Sequence, residues 1–161
     1  VLCSGSEYEQ IKHVSTTAKV PHPYKFRHDQ VGYNYRMPNI NAALGCIQLE
    51  KLQNFLLAKR TLAMRYKNFF LDKNVDFFSE PADCVSNYWL NAVVCESKKD
   101  RDNLVQSTNN RNIMTRPVWE LMYKLKMYED CLRGPMQNAE YFSDRLINLP
   151  SSVIPEFYPK N

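Results

Sequence analysis

The clearest pattern along the chain is a run of apolar residues at three- and four-residue steps between residues 38 and 72. This spacing places apolar side chains on one face of an α-helix. Pro38 suits a first helical turn, where its missing N–H costs no hydrogen bond. A helix of this length would extend on the order of 50 Å at 1.5 Å per residue. We therefore expect one long linking helix over residues 38–72, with a kink or break near residues 49–54.

A short helix and an irregular loop are predicted before the long helix. Residues 6–18 combine Ser6, an N-cap candidate, with apolar residues three apart, which favours a short surface helix. The following stretch KVPHPYKFRHDQVGYNYR has two prolines and no period, so it should be an ordered loop. We expect its four aromatic residues to pack against another surface. The β-prone opening VLCS, residues 1–4, is interpreted as the end of a strand.

The second half of the chain reads as alternating strands and helices. Strands are predicted at VDFFSEP, residues 75–81, at NYWLNAVVC, residues 87–95, and at NIMTRPVW, residues 112–119. Ser97 is positioned to cap a helix that continues to about Asn110, and a last helix is expected from Met136 to Leu146. This order predicts a small α+β domain over residues 73–161.

Charge and cysteine content exclude several classes of function. The net charge of +4 comes from 21 basic and 17 acidic residues spread along the chain. Such a distribution lacks the concentrated basic surface that nucleic acids require, so we expect no nucleic-acid partner. The five cysteines form no CxxC pair, which favours reduced cytoplasmic thiols over a disulfide framework or a metal site. No apolar run approaches the roughly 18 residues of a membrane span, so no membrane partner is expected.

The sequence holds few candidates for chemistry of its own. It contains no GxSxG, HExxH or GxGxxG motif, and His13, His22 and His28 lack an obvious nucleophile nearby. GYNYRMPN, residues 32–39, is different because it places a glycine, Asn34 and Arg36 at the start of a helix. These are the groups that bind an anion. From the residues alone, an anion site and a structural role in satisfying loop carbonyls are supported equally.

Two segments resemble the pyridoxal-phosphate-dependent sugar aminotransferases of the DegT/DnrJ/EryC1/StrS family. They are GYNYRMPNINAALGCIQLEKL and AKRTLAMRYKNFF, residues 32–52 and 58–70. The positions that match the family pattern are Gly32, Tyr33, Asn34, Arg36, Ala42, Ala43, Gln48, Leu49, Arg60 and Tyr66. In addition, TRPVWELM and NLPSS, residues 115–122 and 148–152, are similar to the branch that makes amino sugars for legionaminic-acid-type nine-carbon acids.

The resemblance implies an α/β fold of the fold-type-I aminotransferases, with a large cofactor domain, a smaller C-terminal α+β domain and a homodimer that shares its active sites. Residues 1–37 would then be the end of the large domain and an active-site loop that acts in trans, and the long helix would contribute to the dimer.

The resemblance also implies roles for individual residues. Asn34 would bind the phosphate of pyridoxal 5'-phosphate in the partner subunit, and Arg36 would orient the same loop or meet the substrate. Tyr88, Arg116 and Trp119 would border the sugar-nucleotide pocket. On their own, Tyr88 and Trp119 are equally compatible with core positions, and Arg116 with a surface ion pair.

The activity implied is transfer of an amino group, from glutamate as the expected donor, to the 4-keto carbon of a nucleotide-linked deoxysugar. The product would serve surface-glycan or nonulosonic acid biosynthesis in the cytoplasm. In the family, the Schiff-base lysine precedes a Gly-Gly strand, and VLCS matches residues after that point. We therefore expect a C-terminal fragment that is inactive alone. The alternative is a stand-alone, non-catalytic dimerisation domain derived from such an enzyme, which the upstream sequence would distinguish.

Overall fold

The computed structural model describes residues 5–157, which fall into two compact units, Val1–Glu50 and Lys51–Asn161. The strand predicted at residues 1–4 lies outside the described part of the chain. Among the described residues the elements are helices α1 to α4, strands β1 to β4 and three short 3-10 turns. The 3-10 turns are Met122–Lys124, Lys126–Tyr128 and Pro155–Phe157.

The first unit contains helix α1 and a loop that folds back on it. Helix α1 spans Ser6–Ser15, and its N-cap is Gly5 rather than the predicted Ser6. The helix stops before the predicted residue 18 because Thr17 and Ala18 adopt positive φ angles of 73° and 50°. The Thr17 amide then donates to the carbonyl of Tyr33 at 2.9 Å. This bond closes the loop at its base.

Helix α2 runs without interruption from Asn39 to Phe70, a length of 32 residues. The predicted long helix is confirmed, and residues 49–54 are helical, so the predicted break is absent. Pro38 lies just outside the helix, and its carbonyl accepts a hydrogen bond from Ala42 at 3.0 Å. Residues 39–50 of this helix belong to the first unit and residues 51–70 to the second.

The second unit is built on a four-stranded antiparallel sheet in the order β1-β2-β4-β3. The strands are Val75–Phe77, Asn91–Cys95, Arg116–Pro117 and Leu146–Leu149, numbered along the chain. Strand β4 lies between β2 and β3, with Ile147 opposite both Val93 and Pro117. Helices α3, Lys98–Asn109, and α4, Gln137–Arg145, complete the unit. The prediction of a small α+β domain holds for these residues.

Several predicted bounds in the second unit need correction. The sequence predicts no strand at residues 146–149 and places Leu146 in the last helix, whereas Leu146 begins strand β4. Strand β2 starts at Asn91 rather than residue 87, because Tyr88 has a φ of 45° and turns the chain before the strand. Strand β3 covers two residues of the predicted 112–119, and Asn112 has a φ of 59°. The Ser97 cap is confirmed, since its Oγ accepts from the Asp100 amide at 3.2 Å.

The core of the second unit lies on one face of the sheet. Val93 and Ile147 are fully buried, next to Cys95 and Leu149. The residues packed against them come from helices α2 and α3 and strand β1, namely Tyr66, Phe70, Val75, Phe77, Leu104 and Val105. Full burial of an aliphatic side chain of this size contributes about 1.5–3 kcal/mol. The sheet is therefore a firm support for the loops at its ends.

None of the helices within residues 5–157 is both long and apolar enough to cross a membrane. The same residues hold no group of three or more His, Cys, Asp or Glu side chains that could bind a metal ion.

Candidate functional site

A groove of about 680 Å³ lies in the second unit where three strand ends meet. Trp89 and Leu90 lead into β2, Arg116 and Pro117 form β3, and residues 148–152 include the end of β4 and the segment that follows it. Strand β4 pairs with both β2 and β3, which places Asn148 opposite Ala92 on one side and Arg116 on the other. The register of the sheet therefore brings segments distant in sequence to one concave surface.

Two stacked tryptophans form the apolar wall of this groove. The ring centroids of Trp89 and Trp119 are 6.3 Å apart, and their planes differ by 21°. Trp89 is 66% exposed and Trp119 is 69% exposed, so Trp119 is not a core residue. Exposed aromatic faces of this kind bind planar bases and the apolar faces of sugars.

Arg116 places a positive charge beside the tryptophans. Its side chain is exposed, and its Nη2 atom lies 3.3 Å from the sulfur of Met114, a weak acceptor. Arg116 forms no ion pair within the described part of the chain, so the alternative of a surface ion pair finds no support there. The guanidinium group is thus available to an anion such as a phosphate.

The floor of the groove is held by polar groups from helix α2. Lys59 donates from Nζ to the carbonyls of Trp89 at 3.2 Å and Ser151 at 2.6 Å. Tyr66 donates from its hydroxyl to the carbonyl of Pro150 at 3.0 Å. Burial lowers the pKa of the Lys59 ammonium group and raises the pKa of the Tyr66 hydroxyl. Both side chains thus donate hydrogen bonds to backbone carbonyls of the segments that line the groove.

Ser151 links this floor to the sheet. Its Oγ accepts from the Asn91 amide at 2.7 Å and donates to the carbonyl of Leu149 at 2.8 Å. Asn91 is 1% exposed, and its Nδ2 also donates to the Ser151 hydroxyl at 3.2 Å. The segment after β4 is thus fixed to the start of β2.

Tyr88 lies in a neighbouring cluster rather than in the groove. Its ring centroid is 6.2 Å from that of Phe77 and 5.6 Å from the Arg60 guanidinium carbon, and its hydroxyl accepts from the Glu80 amide. Tyr88 lines a separate cavity of about 320 Å³ together with Arg60 and Glu80. Tyr88 has a positive φ, and the residue that follows it, Trp89, lines the groove.

Arg60 of helix α2 and Glu80 form a bidentate ion pair. The two guanidinium nitrogens of Arg60 meet the two carboxylate oxygens of Glu80 at 2.6 and 3.0 Å. Arg60 also donates to the carbonyl of Ser86 at 2.7 Å, and Glu80 accepts from the Ser86 amide at 2.6 Å. The hydrogen bonds from Arg60 and Ser86 lower the pKa of Glu80 to about 2. The same pairing raises the pKa of Arg60.

Asn34 and Arg36 lie in the first unit, on the loop that pairs with α1. Thr16 and Asn34 form an isolated β-bridge, and Arg36 donates from Nη2 to the Thr16 carbonyl at 3.1 Å. The Asn34 side chain is exposed: its Oδ1 accepts from the Arg36 amide at 3.3 Å, and its Nδ2 has no hydrogen-bond partner among the described residues. This free amide donor suits a phosphate oxygen.

Gly32 makes the loop geometry around Asn34 attainable. A Cβ atom at this position would lie 2.5 Å from the Ala18 nitrogen and 2.5 Å from the Thr17 carbonyl carbon. Both contacts are with backbone atoms, so no larger residue fits without moving the loop. The glycine therefore allows the loop that carries Asn34 to lie close to the backbone of Thr17 and Ala18.

The three histidines have structural partners. His13 bonds Asp29 at 2.7 Å and lowers the pKa of that carboxyl group. The His28 ring lies 2.7 Å from the Thr17 carbonyl, and His22 accepts from the amides of Tyr24 and Lys25. Each ring therefore stabilises the loop of the first unit.

Comparison with known proteins decides the family. The profile of the DegT/DnrJ/EryC1/StrS aminotransferase family matches residues 2–156. The chain belongs to this family. A curated relative, the GDP-perosamine synthase of Escherichia coli O157:H7, is 36% identical over 128 residues. That match covers 79% of this chain and 34% of the relative, so the chain spans about a third of the length of the curated relatives it matches.

Solved structures show the same fold. Helicobacter pylori PseC, described as an aminotransferase involved in the biosynthesis of pseudoaminic acid, matches 95% of this chain and 43% of its own, with a TM-score of 0.77 and 20% identity. Spr1654 of Streptococcus pneumoniae in its PLP form matches 90% of this chain and 38% of its own, with a TM-score of 0.73 and 21% identity. This DegT/DnrJ/EryC1/StrS chain therefore has the fold of part of a fold-type-I aminotransferase.

Sequence reasoning missed three residues of the groove and its floor. The sequence points to Tyr88 rather than to Trp89, although tryptophan occurs only twice in the chain and the other one, Trp119, is a predicted site residue. Ser151 was noted only as part of NLPSS. Lys59 gave no signal, because a lysine on a long helix is normally solvated.

Proposed function

We propose that this chain is the part of a pyridoxal-phosphate-dependent sugar aminotransferase that binds the nucleotide-linked sugar. The complete protein transfers an amino group from glutamate to the 4-keto carbon of a nucleotide-linked deoxysugar. The observation that carries this proposal is the groove, which combines a tryptophan pair with a free arginine. Family membership supports the reaction class, and the name of the curated relative, a GDP-perosamine synthase, supports a nucleotide-linked sugar.

The groove has the chemistry that such a substrate needs. Trp89 and Trp119 offer a stacking face, and base stacking on an aromatic side chain contributes about 1–3 kcal/mol per base. The Arg116 guanidinium can bind a diphosphate, to which its paired N–H donors are matched. Asn148 and Ser152 add polar groups to the lining for sugar hydroxyls. These residues bind and orient the substrate.

The first unit supplies a cofactor-phosphate ligand in the same proposal. Asn34 donates from its free Nδ2 to the phosphate of pyridoxal phosphate in the partner subunit of a homodimer, while Arg36 holds the loop through Thr16. When bound, the cofactor supplies the electron sink for chemistry at the amino carbon. The catalytic Schiff-base lysine is proposed to lie outside residues 1–161, so that this chain alone is inactive.

The finer assignment is to a cytoplasmic enzyme that makes amino sugars for surface glycans or nonulosonic acids. Among the described residues, Cys46, Cys84, Cys95 and Cys131 are free thiols, which fits a reducing compartment. The rates of the complete protein with GDP-linked and UDP-linked 4-keto deoxysugars show which sugar nucleotide it prefers.

The deciding experiment separates the two halves of the transamination. In the complete enzyme, Trp119→Leu and Arg116→Gln should raise KM for the nucleotide sugar roughly tenfold each, equivalent to about 1.4 kcal/mol of lost binding. The half-reaction with glutamate alone should keep its rate, because it does not use the groove. Arg111→Gln, which changes an exposed arginine outside the groove lining, is the matched control.

Equal losses in both half-reactions would contradict the substrate role of the groove. A complete protein that dimerises but neither binds pyridoxal phosphate nor converts any keto sugar would instead favour the alternative of a non-catalytic dimerisation domain.

A further inference from the structure

We propose that Lys59 is a positioning residue that fixes two backbone segments of the groove, the one that carries Trp89 and the one that carries Ser151. Its role in affinity rests on the proposed nucleotide site, whereas its role in placing the tryptophan pair does not.

The contacts of Lys59 point to this role. Its Nζ reaches the carbonyls of Trp89 and Ser151, which are 62 positions apart in sequence and line the same groove. The side chain leaves helix α2 next to Ala58, which is 1% exposed, so the helix is firmly packed at this point. One ammonium group therefore joins a buried part of the helix to both segments.

Few other contacts fix the Trp89 backbone. The Trp89 amide donates a local hydrogen bond to Asn87 Oδ1 at 2.9 Å, and residues 78–90 contain no strand or helix. Within the described part of the chain, the bond from Lys59 is the only long-range hydrogen bond to the Trp89 backbone. Removal of Lys59 should therefore release Trp89 before it disturbs the sheet.

Tyr66 reinforces the same arrangement on the side of Ser151. It lies seven residues after Lys59, two turns along the helix and on the same face, and it bonds the carbonyl of Pro150. The segment after β4 thus has two contacts with α2, whereas among the described residues Trp89 itself has only Lys59, and the next bond from α2 to this segment, from Arg60, reaches the Ser86 carbonyl three residues earlier. The asymmetry predicts that loss of Lys59 moves Trp89 relative to Trp119.

The chain carries its own reporter for this movement. It has only two tryptophans, and they are stacked on each other in the groove. Selective tryptophan fluorescence and the near-ultraviolet circular dichroism of the indole pair therefore report on the groove alone. The test compares the full chain with Lys59→Met, which keeps the length and apolar stem but removes the donors.

Three further variants complete the design. Lys59→Arg restores a charged donor and should recover part of the wild-type behaviour. Lys59→Gln, which keeps neutral donors, serves if the methionine variant does not fold. Lys51→Met changes an exposed lysine of the same helix and should match the wild type.

We expect Lys59→Met to alter the dichroism of the tryptophan pair and to weaken binding of the probe GDP roughly tenfold, measured well below its unfolding temperature. A folded variant with a lower unfolding temperature but unchanged dichroism and GDP affinity would overturn the proposal. If the wild type itself fails to bind GDP, the nucleotide site is rejected, and the dichroism comparison still decides whether Lys59 positions the tryptophans.

Discussion

At the scale of single residues, Glu80 couples the fold of the second unit to pH. Its carboxylate holds Arg60 by two hydrogen bonds and also receives the Ser86 amide. These bonds lower its pKa from the ordinary value of 4.5 to about 2 in the folded chain. Because the folded pKa is the lower one, the stabilisation is complete above about pH 4.5 and is lost as the pH falls towards 2.

Glu80→Gln should remove this part of the pH dependence. The unfolding temperature of the wild type should fall more steeply between about pH 4.5 and 2 than that of the variant, measured by circular dichroism. Glu129→Gln is the control, because Glu129 is exposed and forms no ion pair among the described residues. Parallel curves for wild type and Glu80→Gln would contradict the role of the ion pair.

Asn34 allows a second test at this scale. In the complete enzyme, Asn34→Ala should weaken retention of pyridoxal phosphate, since a hydrogen bond to a charged group contributes about 1.5–3 kcal/mol. The unfolding temperature without cofactor should change little, because the side chain is exposed. Cofactor release during dialysis, followed by absorbance, is the measurement, and Asn41→Ala is the matched control. Unchanged retention with reduced stability would support a purely structural Asn34.

At the scale of elements, strand β4 carries the centre of the sheet although it has only four residues. Ile147 is fully buried between β2 and β3, so Ile147→Ala should lower the free energy of unfolding by about 2–5 kcal/mol, and Ile147→Val by about 0.5–1.5 kcal/mol. Urea denaturation measures both. Ile113→Ala, at a position 48% exposed, should cost clearly less than Ile147→Ala, and equal losses would be inconsistent with a core centred on β4.

The loop that carries Asn34 gives a second prediction for elements. Gly32→Ala forces a Cβ against the backbone of Thr17 and Ala18, so the pairing of this loop with α1 should open. Hydrogen exchange at the Thr17 and Tyr33 amides, which donate to the carbonyls of Tyr33 and Val14, should accelerate. Gly134→Ala, where a Cβ meets nothing within 4 Å, should leave both amides protected. Retained protection in Gly32→Ala would show that the loop can shift at little cost.

What the sequence predicts depends on how far each signal extends. Helix α2 has many turns of apolar period, and the Ser97 cap is a local device, so both are readable. Strand β4 follows α4 directly after Arg145, without a turn residue, and its four residues give too short a pattern to separate from the helix. The role of Lys59 cannot be predicted for another reason: its hydrogen-bond partners are carbonyls 30 and 92 positions away in the sequence. The groove as a whole can be predicted only when the register of the sheet is known, because the register brings its segments together.

At the scale of the whole molecule, a large apolar surface is exposed. In the first unit the residues concerned are Tyr24, Phe26, Val31, Tyr33, Tyr35, Met37, Ile40, Leu44, Ile47 and Leu49. The four aromatics expected to pack on another surface are thus more than half exposed in the single chain. Apolar surface of this extent marks a contact with other protein. It supports the proposed homodimer and an adjoining large domain.

The isolated chain should therefore self-associate or dissolve poorly. Sedimentation velocity should show species larger than a monomer, and Ile40→Glu with Leu44→Glu should shift them towards monomer, because charge opposes burial of this face. Leu132→Glu, at a fully exposed position of the second unit, is the control and should change the distribution less. A wild-type chain that is monodisperse, monomeric and cooperatively melting would contradict this prediction.

Helix α2 holds the segment before β2 in a way that leaves the side chains of that segment open to change. Lys59 and Arg60 donate hydrogen bonds to the backbone carbonyl oxygens of Trp89 and Ser86 and not to their side chains. Every amino acid has such a carbonyl. Val85 and Trp89 are 89% and 66% exposed, so their side chains contribute little to the core. New side chains at these positions can be tried at small cost to folding. If the groove binds a sugar nucleotide as proposed, position 89 is a place where substrate preference can diverge while the scaffold stays the same.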